Sequence, residues 1–306
     1  MYRTILVPLD GSSFCEHALP PALTLARRSG AALRLVVVYS RIVRPFPVPE
    51  AASYDTRFDV QQLRDREAYV EALVHRLGTE EGVAASGVVL DETDVPRALD
   101  AEARRADVDL MVMTTHGRGG ISRAWMGSVA DELVRLAPKP ILLVRPTSAT
   151  SPGAMAWSFG HVLVPLDGSP LSEAVLPHAL EVARLTGARM SLLRVVRTPE
   201  TLLPAEETFW TTAEREQLEA GRRAANEYLQ TIAERLAADG VEPTLAVTLD
   251  AEPARAILAW GSAHDVDLIA ISTHARAGLE RLLIGSVTDK VVRGATVPTL
   301  VVRPEE

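Results

Sequence analysis

The sequence predicts an α/β protein of two tandem domains, each a doubly wound sheet of five parallel strands with helices on both faces. Two observations lead to this prediction. Short apolar runs alternate with amphipathic helical segments, and the runs are apolar throughout, as in strands that are buried on both faces. The chain also repeats itself, because the hexapeptide Val7–Ser12 returns unchanged as Val164–Ser169, at an offset of 167 − 10 = 157 residues. Each half is therefore expected to be a complete folding unit.

Length and composition fit this organisation. The 306 residues suffice for two domains of about 150 residues, and a hydrophobic content of 47% is typical of globular proteins. The net charge of -8 argues against non-specific nucleic-acid binding, which needs a basic surface. No apolar run approaches the ~20 residues of a membrane helix, and no signal peptide precedes the first strand pattern. The single cysteine, Cys15, excludes an intrachain disulfide and fits a cytoplasmic location; we interpret it as a small helical side chain rather than a catalytic thiol.

The first half contains five strand patterns and four helix patterns. The strands are predicted at Thr4–Leu9, Leu33–Val38, Gly87–Leu90, Leu110–Met113 and Ile141–Val144. The helices are predicted over Ser13–Arg28, Val60–Leu77, Val95–Ala106 and Ser128–Leu136. Pro20 and Pro21 fall early in the first helix and are expected to kink or tighten its first turns. The proline-rich segment Arg41–Asp59 is predicted to be a loop.

The second half retraces this pattern after a linker. Residues 145–160 have the composition of a flexible or extended connection, so we expect a first domain over 1–147, a linker over 148–160 and a second domain over 161–306. Strands are predicted at Val162–Leu166, Ser191–Val196, Thr244–Thr248, Leu268–Ile271 and Thr299–Val302. Helices are predicted over Ser172–Thr186 and Ala213–Ala238, with a loop over Pro199–Thr212.

The order of the strands predicts where a ligand would bind. Right-handed crossovers in a five-stranded, Rossmann-like sheet give the order 3-2-1-4-5. The order reverses between strands 1 and 4, so a crevice opens at their carboxyl ends. Asp10 follows strand 1 at one lip, and Thr114–Gly117 follows strand 4 at the other.

A glycine-containing loop of this crevice indicates anion binding. Thr114–Ser128 leads from an apolar strand to a helix through Gly117, Arg118 and a Gly127-Ser128 pair. Glycines let backbone N–H groups turn inward, and the following helix N-terminus adds the positive end of its dipole. The same layout returns over Ser272–Ser286.

These motifs resemble the universal stress protein family. The resemblance rests on the aspartate that ends strand 1, the Thr-x-His-Gly start of the loop, nine further residues, and then Gly-Ser; it covers nearly the whole chain twice, as in tandem-domain members. In the ATP-binding branch of that family the loop reads Gly-x-x-Gly, nine residues, Gly-Ser or Gly-Thr. Here Thr114 replaces the first glycine, while Ser272 and Ala275 replace both glycines in the second half.

The resemblance implies two unequal nucleotide sites. Asp10 and Val38 would face the adenosine moiety, with Gly117, Gly127 and Ser128 on the phosphates. The candidate residues of the first site are Pro8, Leu9, Asp10, Val38, Thr114, His116, Gly117, Arg118, Gly127, Ser128 and Val129. Those of the second site are Pro165, Leu166, Asp167, Val195, Ser272, His274, Gly285, Ser286 and Val287. Ala275 is costly if that position needs a positive φ, so the first site is expected to be the more intact.

Each candidate also has a purely structural interpretation. Ser128 with Asp131, and Ser286 with Asp289, could form helix capping boxes. Asp10 could fix the turn after strand 1 through its own backbone, and His116 and His274 could order their loops. Arg118 and Arg276 are equally well explained as solvent-exposed, and the charged helix segments Arg64–Glu71 and Glu214–Arg223 as solvated surface. No carboxylate or cysteine accompanies the histidines at ligand spacing, so no protein metal site is predicted.

Three functions remain open at this level. The leading one is a regulator that binds ATP, ADP or AMP, with Mg²⁺ held through the phosphates, because no catalytic base or nucleophile is evident. The second is a slow ATPase or phosphoryl-transfer enzyme, although no Walker loop is present. The third is a dimerisation module with degenerate sites, since the apolar edge runs Pro140–Arg145 and Pro298–Arg303 need partners. The resemblance implies that these edges pair with each other as an intramolecular pseudo-dimer, and a homodimer through other surfaces is the alternative.

Overall fold

The computed structural model describes residues 2–40, 56–115, 126–136, 138–146, 157–198, 211–273 and 284–304, with the backbone alone for residues 56–58. These residues form two compact units, the first ending at Trp157 and the second beginning at Ser158. The predicted domain limits, with a linker over 148–160, stay a prediction because most of that segment lies outside the described residues.

In the first unit the described residues form five strands, four α-helices and a short 3-10 helix at Cys15–Ala18. The strands are β1 Thr4–Leu9, β2 Ala32–Tyr39, β3 Ala85–Asp91, β4 Val108–Thr114 and β5 Ile141–Val144. The helices are α1 Leu19–Ser29, α2 Thr56–Thr79, α3 Val95–Ala103 and α4 Ser128–Leu136.

The described residues of the second unit repeat this order, with a short α-helix after the first strand where the first unit has its 3-10 helix. The strands are β6 His161–Pro165, β7 Arg189–Val196, β8 Thr244–Leu249, β9 Leu268–Ser272 and β10 Thr299–Val302. The helices are α5 Pro170–Glu173, α6 Leu176–Thr186, α7 Thr212–Ala237, α8 Pro253–Ala263 and α9 Ser286–Gly294.

Each unit contains the predicted parallel sheet. The strand order is β3-β2-β1-β4-β5 in the first unit, and β8-β7-β6-β9-β10 in the second. All strand pairs within each unit are parallel. The predicted α/β class and the order 3-2-1-4-5 are therefore confirmed, and the strand order of each sheet reverses between its first and fourth strands.

The core lies on both faces of the central strands. Ile5, Leu6 and Val7 of β1 are fully buried, as are Val162, Leu163 and Val164 of β6. Because successive strand residues point to opposite faces, three buried residues in a row require a cover of helices on each side. The helices cover the faces of each sheet but not the ends of its strands, so polar residues can meet at those ends.

The first helix of each half is shorter than predicted. The pattern over Ser13–Arg28 becomes a 3-10 helix followed by α1, which starts at Leu19 with Pro20 in its first turn. The pattern over Ser172–Thr186 becomes α5 followed by α6, again with a proline in the first turn. A proline has no N–H to donate, so an α-helix begins just before it rather than running through it.

Other boundaries differ by a few residues. Helix α2 starts at Thr56 and α7 at Thr212, both inside segments predicted as loops. For α7 the reason is a capping box, since Thr211 accepts from the N–H of Glu214 and the Glu214 carboxylate accepts from the N–H of Thr211. Helix α3 ends at Ala103, three residues before the prediction, because the N–H of Val108 bonds to Arg105 O and turns the chain into β4.

Candidate functional site

The polar residues predicted for the first site leave the sheet at one edge. Pro8 and Leu9 of β1 lie opposite Val36 and Val37, so Asp10, the next residue, is level with Val38. Leu6 lies opposite Met111 in the parallel strand β4, so β1 and β4 end at the same edge of the sheet. The structure thus brings Asp10, Val38 and the end of β4 to the carboxyl edge at the switch point.

The second unit repeats this placement. Pro165 lies opposite Leu193, which sets Asp167 level with Val195. Leu163 lies opposite Ile269 in the parallel strand β9, which ends at Ser272, so β6 and β9 also end at the same edge. Both predicted aspartate–valine pairs are therefore side by side at the carboxyl edges of their sheets.

Both aspartates also fix the turns that follow them. Asp10 Oδ1 accepts from the N–H of Ser12 at 2.8 Å. Asp167 Oδ1 accepts from the N–H of Ser169 at 2.9 Å and from its hydroxyl at 2.6 Å. The structural interpretation of Asp10 as an Asx turn is thus correct for one carboxylate oxygen. Gly11 and Gly168 lie inside these turns at φ 79° and 84°, the left-handed region that glycine adopts without strain.

The side chain that accepts a hydrogen bond from the N–H of the turn aspartate is a cysteine in the first half and a serine in the second. The N–H of Asp10 donates to the sulfur of Cys15, and the N–H of Asp167 donates to the hydroxyl of Ser172, each at 3.3 Å. Each of these side chains in turn donates to the carbonyl of the residue three positions earlier. Burial raises the pKa of the Cys15 thiol to about 11, so it is protonated and serves as a hydrogen-bonding core residue.

The phosphate side of the first site is described at its two ends. The N–H of Gly127 donates to Thr115 O at 2.7 Å, which joins the end of β4 to the start of α4. The intervening His116, Gly117 and Arg118 lie outside the described residues. Because the N–H of Gly127 is bonded to Thr115, the amides that can bind a phosphate are the first ones of α4, at Ser128 and Val129. The side chain of Ser128 is exposed.

The start of α9 corrects one structural interpretation. Gly285 takes the N-cap position with no side-chain capping bond, and Ser286 is the first helical residue. Asp289 instead accepts from the guanidinium of Arg293 at 2.8 Å. The predicted Ser286–Asp289 capping box is therefore wrong, because the serine is one residue too far into the helix. Its hydroxyl is exposed beside the first amides of α9, and Val287 follows it half-buried.

The remaining candidates divide by burial. Pro8, Leu9, Pro165 and Leu166 are buried, so their side chains build the strand ends and only their backbone can face a ligand. Val38 and Val195 are half-buried at the edge. Thr114 and Ser272 are buried, and Ser272 O accepts from the hydroxyl of Thr288 at 2.8 Å. His274, Ala275 and Arg276 lie outside the described residues.

One arginine at the carboxyl edge of each sheet was not predicted from the sequence. Arg66 of α2 donates from Nη1 to Asp10 O at 2.9 Å, and Arg194 of β7 donates from Nη1 to Leu166 O at 3.3 Å. Both side chains belong to half-buried residues. Arg66 falls in the segment Arg64–Glu71 that was interpreted as solvated surface, and that interpretation is wrong for Arg66. No local pattern could have revealed the contact, because 56 residues separate its partners.

A hydrogen bond between a tyrosine and a glutamate, here called the tyrosine–glutamate buttress, supports the turn in both halves. Tyr69 of α2 donates to Glu16, and Tyr228 of α7 donates to Glu173, each at 3.1 Å. Burial raises the pKa of Tyr228 to about 12 and raises that of Tyr69 as well, so both phenols stay protonated. Each helix is thereby tied to the segment that follows the first strand of its unit.

Two features of the described residues bear on the class of site. Within the described ranges, no three side chains of histidine, cysteine, aspartate or glutamate gather into a group that could hold a metal ion. None of the described helices combines the length and the apolarity that crossing a membrane requires.

Comparison with known proteins adds the family context. The sequence profile of the universal stress protein family matches residues 1–145 and again 158–303. A universal stress protein of Mycolicibacterium smegmatis is 27% identical over 98% of this chain and 97% of its own length. One of Mycobacterium tuberculosis is 25% identical over 98% and 96%. The crystal structure of a universal stress protein from Archaeoglobus fulgidus superimposes with a TM-score of 0.69 at 16% identity, covering 98% of both chains.

Proposed function

Because this chain belongs to the universal stress protein family, with two family domains in tandem, we propose that it binds an adenine nucleotide at the carboxyl edge of its sheets and acts by binding rather than by turnover. ATP is the proposed ligand, with ADP or AMP as alternatives that the same adenosine side would accept. A bound nucleotide would stabilise one conformation of the chain, which a partner could then recognise.

The observation that supports this proposal is the meeting of two kinds of group at one edge. Asp10 and Val38 lie level with each other on one side of the switch point. The amino end of α4, with the exposed Ser128, lies on the other side, joined to β4 through Gly127 and Thr115. A helix amino end favours a phosphate group, and a carboxylate oxygen accepts hydrogen bonds from ribose hydroxyls or a base amino group.

The first site is proposed to be the tighter of the two. Asp10 is half-buried, whereas Asp167 is exposed and accepts two bonds from Ser169 through one oxygen. The first half also keeps Gly117 where the second has Ala275. Mg²⁺ would enter with the phosphates of ATP, because the described residues offer no carboxylate cluster of their own.

Isothermal titration calorimetry tests the proposal. Nucleotide-free protein is titrated with ATP in the presence of Mg²⁺, and binding in the micromolar range is expected. Absence of heat at millimolar ATP would contradict the proposal. Mass spectrometry of any small molecule released on denaturing the purified protein identifies the bound nucleotide independently.

Assembly is a separate proposal. The pairing of the two fifth-strand edges, and a homodimer through other surfaces, stay predictions from the sequence. Sedimentation velocity separates a monomer from a dimer, and a strict monomer would exclude the homodimer.

A further inference from the structure

Arg66 and Arg194 each bond to a backbone carbonyl near the end of the first strand of their half, but they come from different elements. Arg66 reaches from helix α2 to the carbonyl of Asp10, the residue directly after β1. Arg194 reaches from strand β7 to the carbonyl of Leu166, the residue directly after β6. Both guanidinium groups therefore lie at the carboxyl end of the first strand, on the side of the candidate site that carries the aspartate turn.

These arginines are not repeated positions of the duplicated sequence. The residue that corresponds to Arg194 is number 194 − 157 = 37, which is the buried Val37. The two helices align through their tyrosines, 228 − 69 = 159, so the counterpart of Arg66 is number 66 + 159 = 225, the buried Ala225. Each half thus has an arginine at one of the two positions and an apolar residue at the other.

Neither guanidinium has a carboxylate partner among the described residues. Other arginines of the same region do: Arg76 lies 3.7 Å from Glu16, and Arg235 lies 2.7 Å from Glu173. Arg66 and Arg194 each donate one of their five guanidinium N–H groups to a backbone carbonyl. A half-buried cation without a counter-ion retains the capacity to bind an anion.

The contacts of Arg194 keep it against the turn. Its guanidinium lies over the ring of Tyr228, 5.9 Å from the centroid. Its Nη atoms lie 3.4 Å from the place where a Cβ on Gly168 would be, so the turn and the guanidinium are in close contact. The cation is thus held beside the residue that follows Asp167 in the turn.

From these observations we infer that Arg66 and Arg194 are ligand-binding residues that make the two sites select anionic, phosphorylated nucleotides over uncharged nucleosides. This inference rests on the proposed function and adds the residues that read the charge of the ligand. In each half the arginine, on the adenosine side, donates charge-assisted hydrogen bonds to the phosphate group next to the ribose, while the helix amino end binds the outer phosphates from the other side.

The test compares ATP with adenosine in matched variants. Both ligands are titrated by calorimetry into the full-length protein, the Arg66→Gln and Arg194→Gln single variants, and the double variant. Arg64→Gln and Arg223→Gln remove the same charge from exposed positions of α2 and α7 and serve as controls. The ratio of ATP to adenosine affinity is expected to fall about 10-fold or more in the double variant, from the strength of charge-assisted bonds. The controls should keep it within about threefold, since exposed charges are screened by salt.

The outcomes separate the inference from the proposed function. If the wild type binds neither ligand, the proposed function fails and the inference fails with it. If the wild type binds ATP and the double variant keeps the ratio, or loses both affinities equally, the inference alone is overturned, because the arginines then only shape the turn. Arg66→Lys, which keeps the charge, is expected to retain the preference for ATP within about threefold, and thermal unfolding confirms that each variant is folded.

Discussion

The two halves of this protein repeat the aspartate turn at the carboxyl edge of each sheet but have different contacts at the opposite ends of their strands. Near the start of β2 in the first half, Arg34 forms an ion pair with Glu102 of α3, 2.6 Å apart. The corresponding position of the second half, 34 + 157 = 191, is Ser191, which bonds to the ring of His161 at 2.8 Å. Trp260 takes the place of Glu102, eight residues after the helix N-cap in each case (102 − 94 = 260 − 252 = 8).

This difference shows which parts of the fold the topology requires. The aspartate turn, the tyrosine–glutamate buttress and the glycine after the first helix occur in both halves. The space between the second strand and the third helix needs only to be filled, by an ion pair in one half and by a histidine–serine–tryptophan cluster in the other. The aspartate turn of the candidate site is thus kept in both halves, whereas the contacts at the opposite edge are not.

The largest expected effect is on the ion pair of the first half. Glu102→Gln leaves Arg34 without its counter-charge in a place where both side chains are less than one-fifth exposed. We expect a loss of about 2–3 kcal/mol in the free energy of unfolding, somewhat below the cost of breaking a fully buried pair. Urea unfolding, with hydrogen exchange to report the first half separately, measures it.

A double variant sharpens this prediction. Replacing both partners, as in Arg34→Leu with Glu102→Leu, should cost less than Glu102→Gln alone, because no charge is left unpaired. Glu219→Gln breaks an exposed pair with Arg222 and should change the stability by less than about 0.5 kcal/mol. A loss of under about 1 kcal/mol in Glu102→Gln would contradict the assigned role of the pair.

The next effect concerns pH and the second half alone. Burial lowers the pKa of His161, whose ring is held by His264 O at 3.0 Å and by Ser191. Below the ordinary histidine pKa of about 6.5 the unfolded chain takes up a proton that the folded chain refuses. The free energy of unfolding therefore has its full value above pH ~6.5 and falls as the pH drops towards the folded-state pKa. The loss is about 1.4 kcal/mol for each unit by which folding lowers the pKa of His161.

The matched control for this pH effect is the first half. Its corresponding residue, 161 − 157 = 4, is Thr4, so His161→Thr should remove this part of the acid sensitivity. Trp260 lies 6.0 Å from His161 and stacks on His264, and its fluorescence therefore reports local unfolding. Equal acid sensitivity of the wild type and His161→Thr between pH 5 and 7 would refute this assignment.

The smallest of these effects is at the third helix of each half. Asp94 caps α3 by accepting from the N–H of Arg97 at 3.1 Å, whereas Glu252 at the same position of α8 makes no capping bond. Asp94→Ala should therefore cost about 1 kcal/mol in thermal or urea unfolding, and Glu252→Ala less than about 0.5 kcal/mol. Equal costs would show that the two helix starts do not differ as described.

Much of the fold could be predicted from the sequence because its signals are local. The hexapeptide with Asp10 and the apolar runs report strands and turns that depend on neighbouring residues only. The predicted start of α2 was wrong because the helix begins at Thr56, inside the proline-rich segment that was predicted as a loop. The capping box at Ser286 was wrong because a pattern cannot tell the N-cap from the first helical residue.

The candidate site was predictable in part for the same reason. Register places Asp10 beside Val38 once the strand order is known, and the strand order follows from right-handed crossovers. The arginines were missed since their contacts join distant positions of the chain, and since Arg66 and Arg194 do not repeat between the halves.

The most direct test of the proposed function is a comparison of the two aspartate turns in one binding experiment. ATP is titrated into the wild type, Asp10→Ala and Asp167→Ala, with stoichiometry and affinity read from each isotherm. The proposal predicts that Asp10→Ala removes the tighter binding event, with a loss of affinity of about 10-fold or more, since removing a hydrogen bond from a charged group costs ~1.5–3 kcal/mol. It predicts that Asp167→Ala leaves that event unchanged. A tight event that survives Asp10→Ala undiminished would contradict the nucleotide site proposed at this edge.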